Sequence, residues 1–417
     1  MPVKNKIFIG VTLFYIIYIA FPYIAVIFNI PTWLPSIFVS VVLISLFHKA
    51  IIRNKMFFWF VCYCLVTFAF FSSGRLIKID IGACRTFSQL VIEYAFLLPS
   101  IIICSVLTNI NSVKVNKVIG YSVLAVLFVS FVLILPQLGQ SDLRTLAEAA
   151  EMDESVNVQY VLGYTLLHAY IIIFPAIYYY YAMSNNKTNK RFGMIMFILL
   201  AYIILKSSIA TTILLLFVSF ALCRIVISNN RDREIVILFF VALTIAVFYY
   251  SGGFVLFLDW ISPFFDGTAV SQKIDDLKIY LETGTKGESI DVRENLHNIS
   301  LESFFSNPIY GDGHFGGHSL ILDRLGCMGV IGFLPYIMMY VSVYKHWSNI
   351  MNKNEKRFFF IGFLSVIILL YSKGLFGQEG NLFFMVLLPI IILLPRYINE
   401  IEPYNKSSMQ EIINKRK

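Results

Sequence analysis

Charge is what this chain has least of. Of 417 residues, 14% are Asp, Glu, Lys or Arg and 58% are hydrophobic, where soluble domains carry about 25% charged residues. So much apolar surface cannot hide in one aqueous core, so lipid must be the solvent for most of the chain. Cysteine is also scarce. The six cysteines (Cys62, Cys64, Cys84, Cys104, Cys223, Cys327) show no metal-binding or redox spacing and read mostly as buried thiols. Cys84 and Cys327 share the same expected side, but a disulfide between them is not the expectation. The chain has no Walker loop, no GxSxG and no HExxH, which removes P-loop, hydrolase-elbow and zincin chemistry. It also has no D-x-D of the metal-dependent sugar transferases and no membrane ladder of carboxylates. Glu151, Asp153 and Glu154 read as a solvated acidic loop rather than a divalent-ion site. There is no long internal repeat and no low-complexity tract.

What is present is a series of apolar runs long enough to cross a bilayer. They fall at 7–29, 32–48, 56–73, 88–108, 118–138, 158–182, 192–205, 208–228, 234–252, 319–344, 357–372 and 380–395. The first follows Lys4 and Lys6 as a signal peptide would. It is too long for a signal core and lacks a small-x-small cleavage site, so it reads as the first span. The runs at 192–205 and 208–228 are split by Lys206-Ser207-Ser208, which argues for two helices. The expected fold is therefore an all-α polytopic membrane protein of about 12 transmembrane helices.

Basic loops set the orientation. With a cytoplasmic N-terminus, alternate loops read HKAIIRNK, NINSVKVNK, SNNKTNKR, SNNRDRE and KHWSNIMNKNEKR, and the tail ends NKRK. That side holds 22 Lys/Arg and 6 Asp/Glu; the other holds 11 and 19. The net charge of +8 is thus a topology signal that places both termini inside, and it says nothing of nucleic acid. The chain divides into spans 1–9 over 1–252, a long extracytoplasmic loop over 253–318, spans 10–12 over 319–395 and a cytoplasmic tail over 396–417. So long a loop suggests function or a small folded cap. Val270, Ile274, Leu277 and Leu281 fall at helical spacing in it, as do Val292, Leu296 and Ile299. These amphipathic helices suit a membrane surface.

The loop and its exit gather the proton-carrying groups. His297, His314 and His318 are three of only six histidines. GDGHFGGH is too glycine-rich to stay helical and suits close backbone approach to a ligand. A helix is expected to start near His318, with Ser319 in its first turn and Asp323 and Arg324 just beyond. This supplies an acid/base group, a carboxylate to fix its tautomer and a cation. Interfacial histidines with a solvated ion pair would give the same pattern. Arg75, Lys78, Arg85, Lys206 and Arg293 are further cations on the side that topology keeps poor in them. An anionic ligand such as a lipid-linked pyrophosphate would explain them, and so would snorkelling to lipid phosphates; Lys78 reads as snorkelling. Glu93 lies inside the fourth span, where an acid needs a cavity or a partner, and Arg85 is a candidate partner. His168, among tyrosines, reads as bonded to a hydroxyl.

Many spans and a late outer loop, followed by Asn307, Pro308, Gly311, Gly313, His318, Ser319, Leu322, Asp323, Gly329 and Gly332, resemble the Wzy-type O-antigen and capsular polysaccharide polymerases. These belong to the O-antigen ligase/polymerase superfamily. Arg293 sits where that family tends to carry an arginine, and Lys206-Ser207-Ser208 resembles its Ser/Arg break with lysine for arginine. The sequence detail spans about residues 291–333.

The resemblance implies a GT-C-like, metal-independent glycosyltransferase of the bacterial cytoplasmic membrane with no cofactor. Its substrates would be undecaprenyl-pyrophosphate-linked oligosaccharides, its surroundings membrane lipids, and a chain-length regulator a candidate partner. His318 would be the base, oriented by Asp323, with Arg293 also catalytic. Arg85, Lys206, Arg75 and Arg324 would grip pyrophosphate, and His314, His297, Glu302 and Glu93 are further candidates. An O-antigen ligase-like enzyme shares the chemistry but usually carries His-Asn where this chain has His-Ser. A flippase would instead place its polar groups at the bilayer midplane. A scaffold protein leaves the glycine- and histidine-bearing loop unexplained.

Overall fold

A computed structural model describes residues 1–21, 24, 28, 30–31, 33–74, 87–110, 112–136, 164–207, 209–228, 233, 236, 253–265, 269–283, 288–372 and 377–398. Among these there is no strand. That follows from the solvent: inside a bilayer every backbone N–H and C=O must find a partner within its own segment, and a helix achieves this. The helices are α1 (Val3–Ala20), α2 (Trp33–Ile52), α3 (Lys55–Ser72), α4 (Phe87–Ile110), α5 (Val113–Ile134), α6 (Tyr164–Met183), α7 (Lys187–Lys206) and α8 (Ala210–Ile227). After them come α9 (Gly253–Ile261), α10 (Ala269–Thr283), α11 (Glu288–Ser306), α12 (Leu320–Ser348), α13 (Lys353–Ser372) and α14 (Gly377–Ile398).

The chain is a multi-pass membrane protein. Nine of the described helices are long and apolar enough to cross a bilayer: α1 to α7, α12 and α14. Eleven of the twelve expected runs fall on helices; the run at 234–252 lies outside the described residues. Of those eleven, α8 offers a shorter apolar stretch, Thr211–Ile227, than the nine, and α13 opens on Lys353, Glu355, Lys356 and Arg357. The split at Lys206 is real, since α7 and α8 are separate helices.

Helix starts follow the sequence. Asn54, Asn186 and Ser319 are N-caps whose side chains accept from Met56 N (2.9 Å), Thr188 N (2.9 Å) and Leu322 N (3.2 Å). At the centre of the bundle stand α14 and α6, with 89% and 83% of their span residues buried, against 28% in α3 and in α7. Around them α13 packs on α6, α14 on α5 and α6, α12 on α3, and α2 on α4. Each buried large side chain contributes about 1.5–3 kcal/mol where it leaves water. Between helices already in lipid, close packing takes over that role. One ladder of stacked rings, Tyr344, Phe359, Phe363 and Phe384, ties α12, α13 and α14 together.

Ends that an alternating up-and-down path puts together do meet. Asn109 Nδ2 donates to Ala50 O (3.5 Å) and Asn116 Nδ2 to the Tyr397 hydroxyl (3.1 Å). Arg396 pairs with the buried carboxylate of Glu355 and donates to Ile350 O (3.2 Å). At the opposite ends, Ser36 donates to Gln378 Oε1 (3.3 Å) and Ser130 to Ala20 O (2.9 Å).

Candidate functional site

The glycine-rich stretch is folded into the bundle rather than lying over it. α12 is broken at Gly329, whose φ of 56° and ψ of −159° interrupt the helix. On the near side of the break the carbonyl of Gly326 accepts from Asp312 N (3.0 Å) and from the Ser303 hydroxyl (2.9 Å). On the far side, Val330 N donates to Pro308 O (2.9 Å) and Ile331 N to Ile309 O (3.2 Å). Residues 308–312 therefore fill the gap and satisfy the backbone groups that the break releases. The glycines are needed for approach. A Cβ on Gly311 would stand 2.4 Å from Gly326 O, and one on Gly329 2.4 Å from Ile309 O. Val330 lies ten residues into α12, about 15 Å along it at 1.5 Å per residue. The end of the expected loop, residues 308–312, is thus seated beside a span, because a helix break needs backbone partners.

α11 clamps this arrangement from the other side. Of its expected apolar face, Leu296 and Ile299 are half-buried. Val292 is exposed, while Ser300 and Ser303, one turn apart, are buried. Ser300 Oγ donates to Asp323 Oδ1 (2.8 Å) and accepts from Gly316 N (2.9 Å). Ser303 Oγ accepts from His314 N (3.2 Å). Asp323 also accepts from Gly317 N (3.2 Å). The helix expected to start near His318 begins at Leu320, with Ser319 as its N-cap rather than in its first turn. His318 lies ahead of the N-cap Ser319, outside the helix, and Asp323 holds the backbone next to it through Gly317. Cys327 is buried with its Sγ 4.0 Å from Gly313 O; Cys84 lies outside the described residues.

Two of the expected groups come together at this end. The rings of His297 on α11 and His318 lie 5.7 Å apart between centroids, tilted by 36°. Arg293 is one helical turn before His297 on the same face. Tyr371, at the end of α13, has its ring 5.8 Å from that of His297. His314 is half-buried and Glu302 exposed. Tyr371 was not legible as a site residue, since a tyrosine at the end of a span reads as an interface anchor. Ser300 and Ser303 were missed too; their spacing of three on the helix that carries His297 was the available signal.

Arg324 does not lie open to a ligand. Its side chain is 4% exposed, ion-paired with Glu93, and its guanidinium lies 5.2 and 5.1 Å from the ring centroids of Tyr63 and Tyr336. Tyr63 also donates to Glu93 (2.7 Å). Beyond Tyr336, the Tyr340 hydroxyl donates to Asn381 Oδ1 (2.8 Å). The structure gives Arg324 the half-buried Glu93 as its counter-ion, as an arginine enclosed at that depth requires.

Lys206 is exposed in the last turn of α7, beside Ser207, whose hydroxyl donates to Ile204 O (2.7 Å). Its helix packs mainly on α6, whereas α11 packs on α12. Arg75, Lys78, Arg85 and the acidic residues Glu151, Asp153 and Glu154 lie outside the described residues. Among those described, no three His, Cys, Asp or Glu side chains gather as metal ligands would. Compared with protein-family models and with curated proteins, the chain matches none.

Proposed function

We propose that this protein is a Wzy-type polysaccharide polymerase, a GT-C-like glycosyltransferase acting at the outer face of the bacterial cytoplasmic membrane with both termini inside. Its substrates are oligosaccharide units carried on undecaprenyl pyrophosphate. The observation that carries this reading is the meeting of His297 and His318, with ring centroids 5.7 Å apart, one turn from Arg293 and behind a packed glycine loop. A proton acceptor beside a cation at the mouth of a membrane bundle suits transfer of a sugar from an anionic leaving group.

In that reaction a hydroxyl of the acceptor sugar attacks the anomeric carbon of the donor chain. A new C–O bond forms, and the bond from that carbon to the pyrophosphate oxygen breaks. The bonding pair leaves with the lipid pyrophosphate. The hydroxyl proton passes to His318, the general base. Asp323, through the Gly317 amide, holds the backbone beside that imidazole. Arg293 and Lys206 are the described cations available to the departing charge, and Arg75 and Arg85 join them on the same reading. The lipid pyrophosphate bond supplies the driving force, so no nucleotide is consumed.

The test is turnover of a purified lipid-linked repeat unit by the reconstituted protein. Wild type is expected to build a ladder of polymer lengths. His318→Ala is expected to leave single units, with activity down by about 10²–10⁴-fold, the usual contribution of a general base. Full-length polymer from His318→Ala would overturn the assignment of the base, and no polymer from wild type would overturn the reading.

A further inference from the structure

α6, α7 and α8 carry no Asp or Glu, yet two cations turn inward where the ends of these helices meet. Lys190 lies in the first turn of α7 and Arg224 in the last turn of α8, and both are exposed. Each is drawn to a tyrosine of α6. The Lys190 ammonium lies 5.9 Å from the centroid of the Tyr181 ring, and Arg224 stands within hydrogen-bonding reach of the Tyr178 hydroxyl. The two tyrosines are neighbours on one face of α6, with ring centroids 6.3 Å apart. Snorkelling accounts for cations at helix ends. It does not bring two of them, from different helices, onto one tyrosine pair.

Deeper in the bundle, aromatic rings continue the same seam. Phe197 shares a face of α7 with Lys190, seven residues on, and Phe220 shares a face of α8 with Arg224, four residues back. The Tyr178 ring lies 5.5 Å from that of Phe197 and 5.9 Å from that of Phe220, and those two are 6.2 Å apart. α7 and α8 both pack on α6 and touch each other far less. The seam between them opens to lipid at Phe220, which is 41% exposed. It therefore presents positive charge at headgroup depth and an apolar aromatic strip about 10 Å further in, at 1.5 Å per residue. The acid of the neighbouring α13, Glu355, is already paired with Arg396. The chemistry that matches both parts is an amphiphile with an anionic head. A free phosphate would use the cations alone, and a zwitterionic lipid brings a cation that they repel.

We propose that the seam between α7 and α8 is a binding site for an anionic phospholipid of the adjoining leaflet. Its phosphate sits between Lys190 and Arg224, and one acyl chain runs along Phe220 and Phe197. Tyr181 and Tyr178 hold the two cations toward the headgroup. Basic pockets between spans suit anionic headgroups for this reason. The site lies at the opposite end of α13 from the histidines, since Tyr178 stacks on Phe358 (6.4 Å) while His297 adjoins Tyr371. It does not depend on the transferase reading.

The experiment titrates the full-length protein in detergent with phosphatidylglycerol or phosphatidylcholine and counts the lipid retained by native mass spectrometry. Wild type is expected to hold its first phosphatidylglycerol about thirtyfold more tightly than phosphatidylcholine, the scale of two cations near a headgroup. Inorganic phosphate at the same concentration is expected not to displace it. Lys190→Gln/Arg224→Gln is expected to retain both lipids alike. Lys353→Gln/Lys356→Gln, which removes two exposed cations from the start of α13, is expected to keep the preference. Equal retention of the two lipids by wild type overturns the site. So does an equal loss in both double variants, which would reduce the effect to a basic surface, or displacement by inorganic phosphate, which would assign a free anion. Thermal midpoints in phosphatidylcholine nanodiscs separate misfolding from lost binding. Should the first double variant fold poorly, Lys190→Gln alone is expected to lower the preference about fivefold, and an unchanged preference in it overturns the site.

Discussion

At the scale of single residues, the most consequential pair is Glu93 with Arg324. The two sit 231 positions apart and hold each other inside the bundle, with Tyr63 bonded to the acid and flanking the base together with Tyr336. Removing one partner strands the other charge in a medium that solvates it poorly, at about 3–5 kcal/mol. Arg324→Met is therefore expected to lower the unfolding midpoint in detergent markedly, as is Glu93→Gln. The double variant Glu93→Leu/Arg324→Met is expected to recover most of the loss, since no charge is left unpaired; thermal unfolding of the purified variants checks this. The sequence announced that Glu93 needed a partner but not which one. Helical periodicity tells which face a residue is on and is blind to which two faces meet. Arg85, nearer in sequence, was the natural guess and lies outside the described residues. His297 and His318 were legible as candidate site residues because histidine is rare here and both fall in or at the end of the late loop, His318 directly after two glycines. Tyr371 was not, because tyrosine is common in this chain, with 24 copies.

At the scale of elements, α12 carries the information. Its glycines read as marks of an open loop and a family pattern, and their packing role emerged only with the structure. Gly317 and Gly329 separate the two demands a glycine can meet. Both have positive φ, 78° and 56°, but a Cβ on Gly317 meets nothing within 4 Å while one on Gly329 would strike the Ile309 carbonyl. Gly317→Ala is expected to cost about 1–2 kcal/mol, the conformational penalty alone. Gly329→Ala is expected to cost clearly more, because backbone must also move. Comparing their thermal midpoints and folded yields decides it. Ser300→Ala removes one hydroxyl that serves two buried partners, Asp323 and the Gly316 amide. A loss of about 1–3 kcal/mol is expected, with weakened protection of the 313–318 amides in hydrogen exchange.

At the scale of the whole molecule, composition made the architecture legible. With 58% hydrophobic residues, the only open question was how many helices and which way they run. Eleven of the apolar runs overlap described helices, because the bilayer imposes a minimum length on both. Basic loops sorted the ends, and contacts such as Arg396 with Glu355 and Ser36 with Gln378 keep those two sets of ends apart. Which set faces the cytoplasm is a proposal that rests on the charge rule. Single cysteines in a cysteine-free background check it: Glu302→Cys is expected to react with an impermeant maleimide on intact spheroplasts, and Lys353→Cys only after lysis. The opposite pattern would invert the molecule and place the histidine cluster on the wrong side for an exported glycan.

The gap in α12 and the short stretch that fills it also bear on how the protein is made. The filler leaves the ribosome before the helix it completes. Until it is seated, α12 presents the free backbone of Gly326, Val330 and Ile331 to hydrocarbon, at several kcal/mol for each unmet group. Entry of this span into the bilayer and capture of the preceding segment must therefore be a single event in biogenesis, in which the tenth expected crossing enters the membrane already carrying its insert.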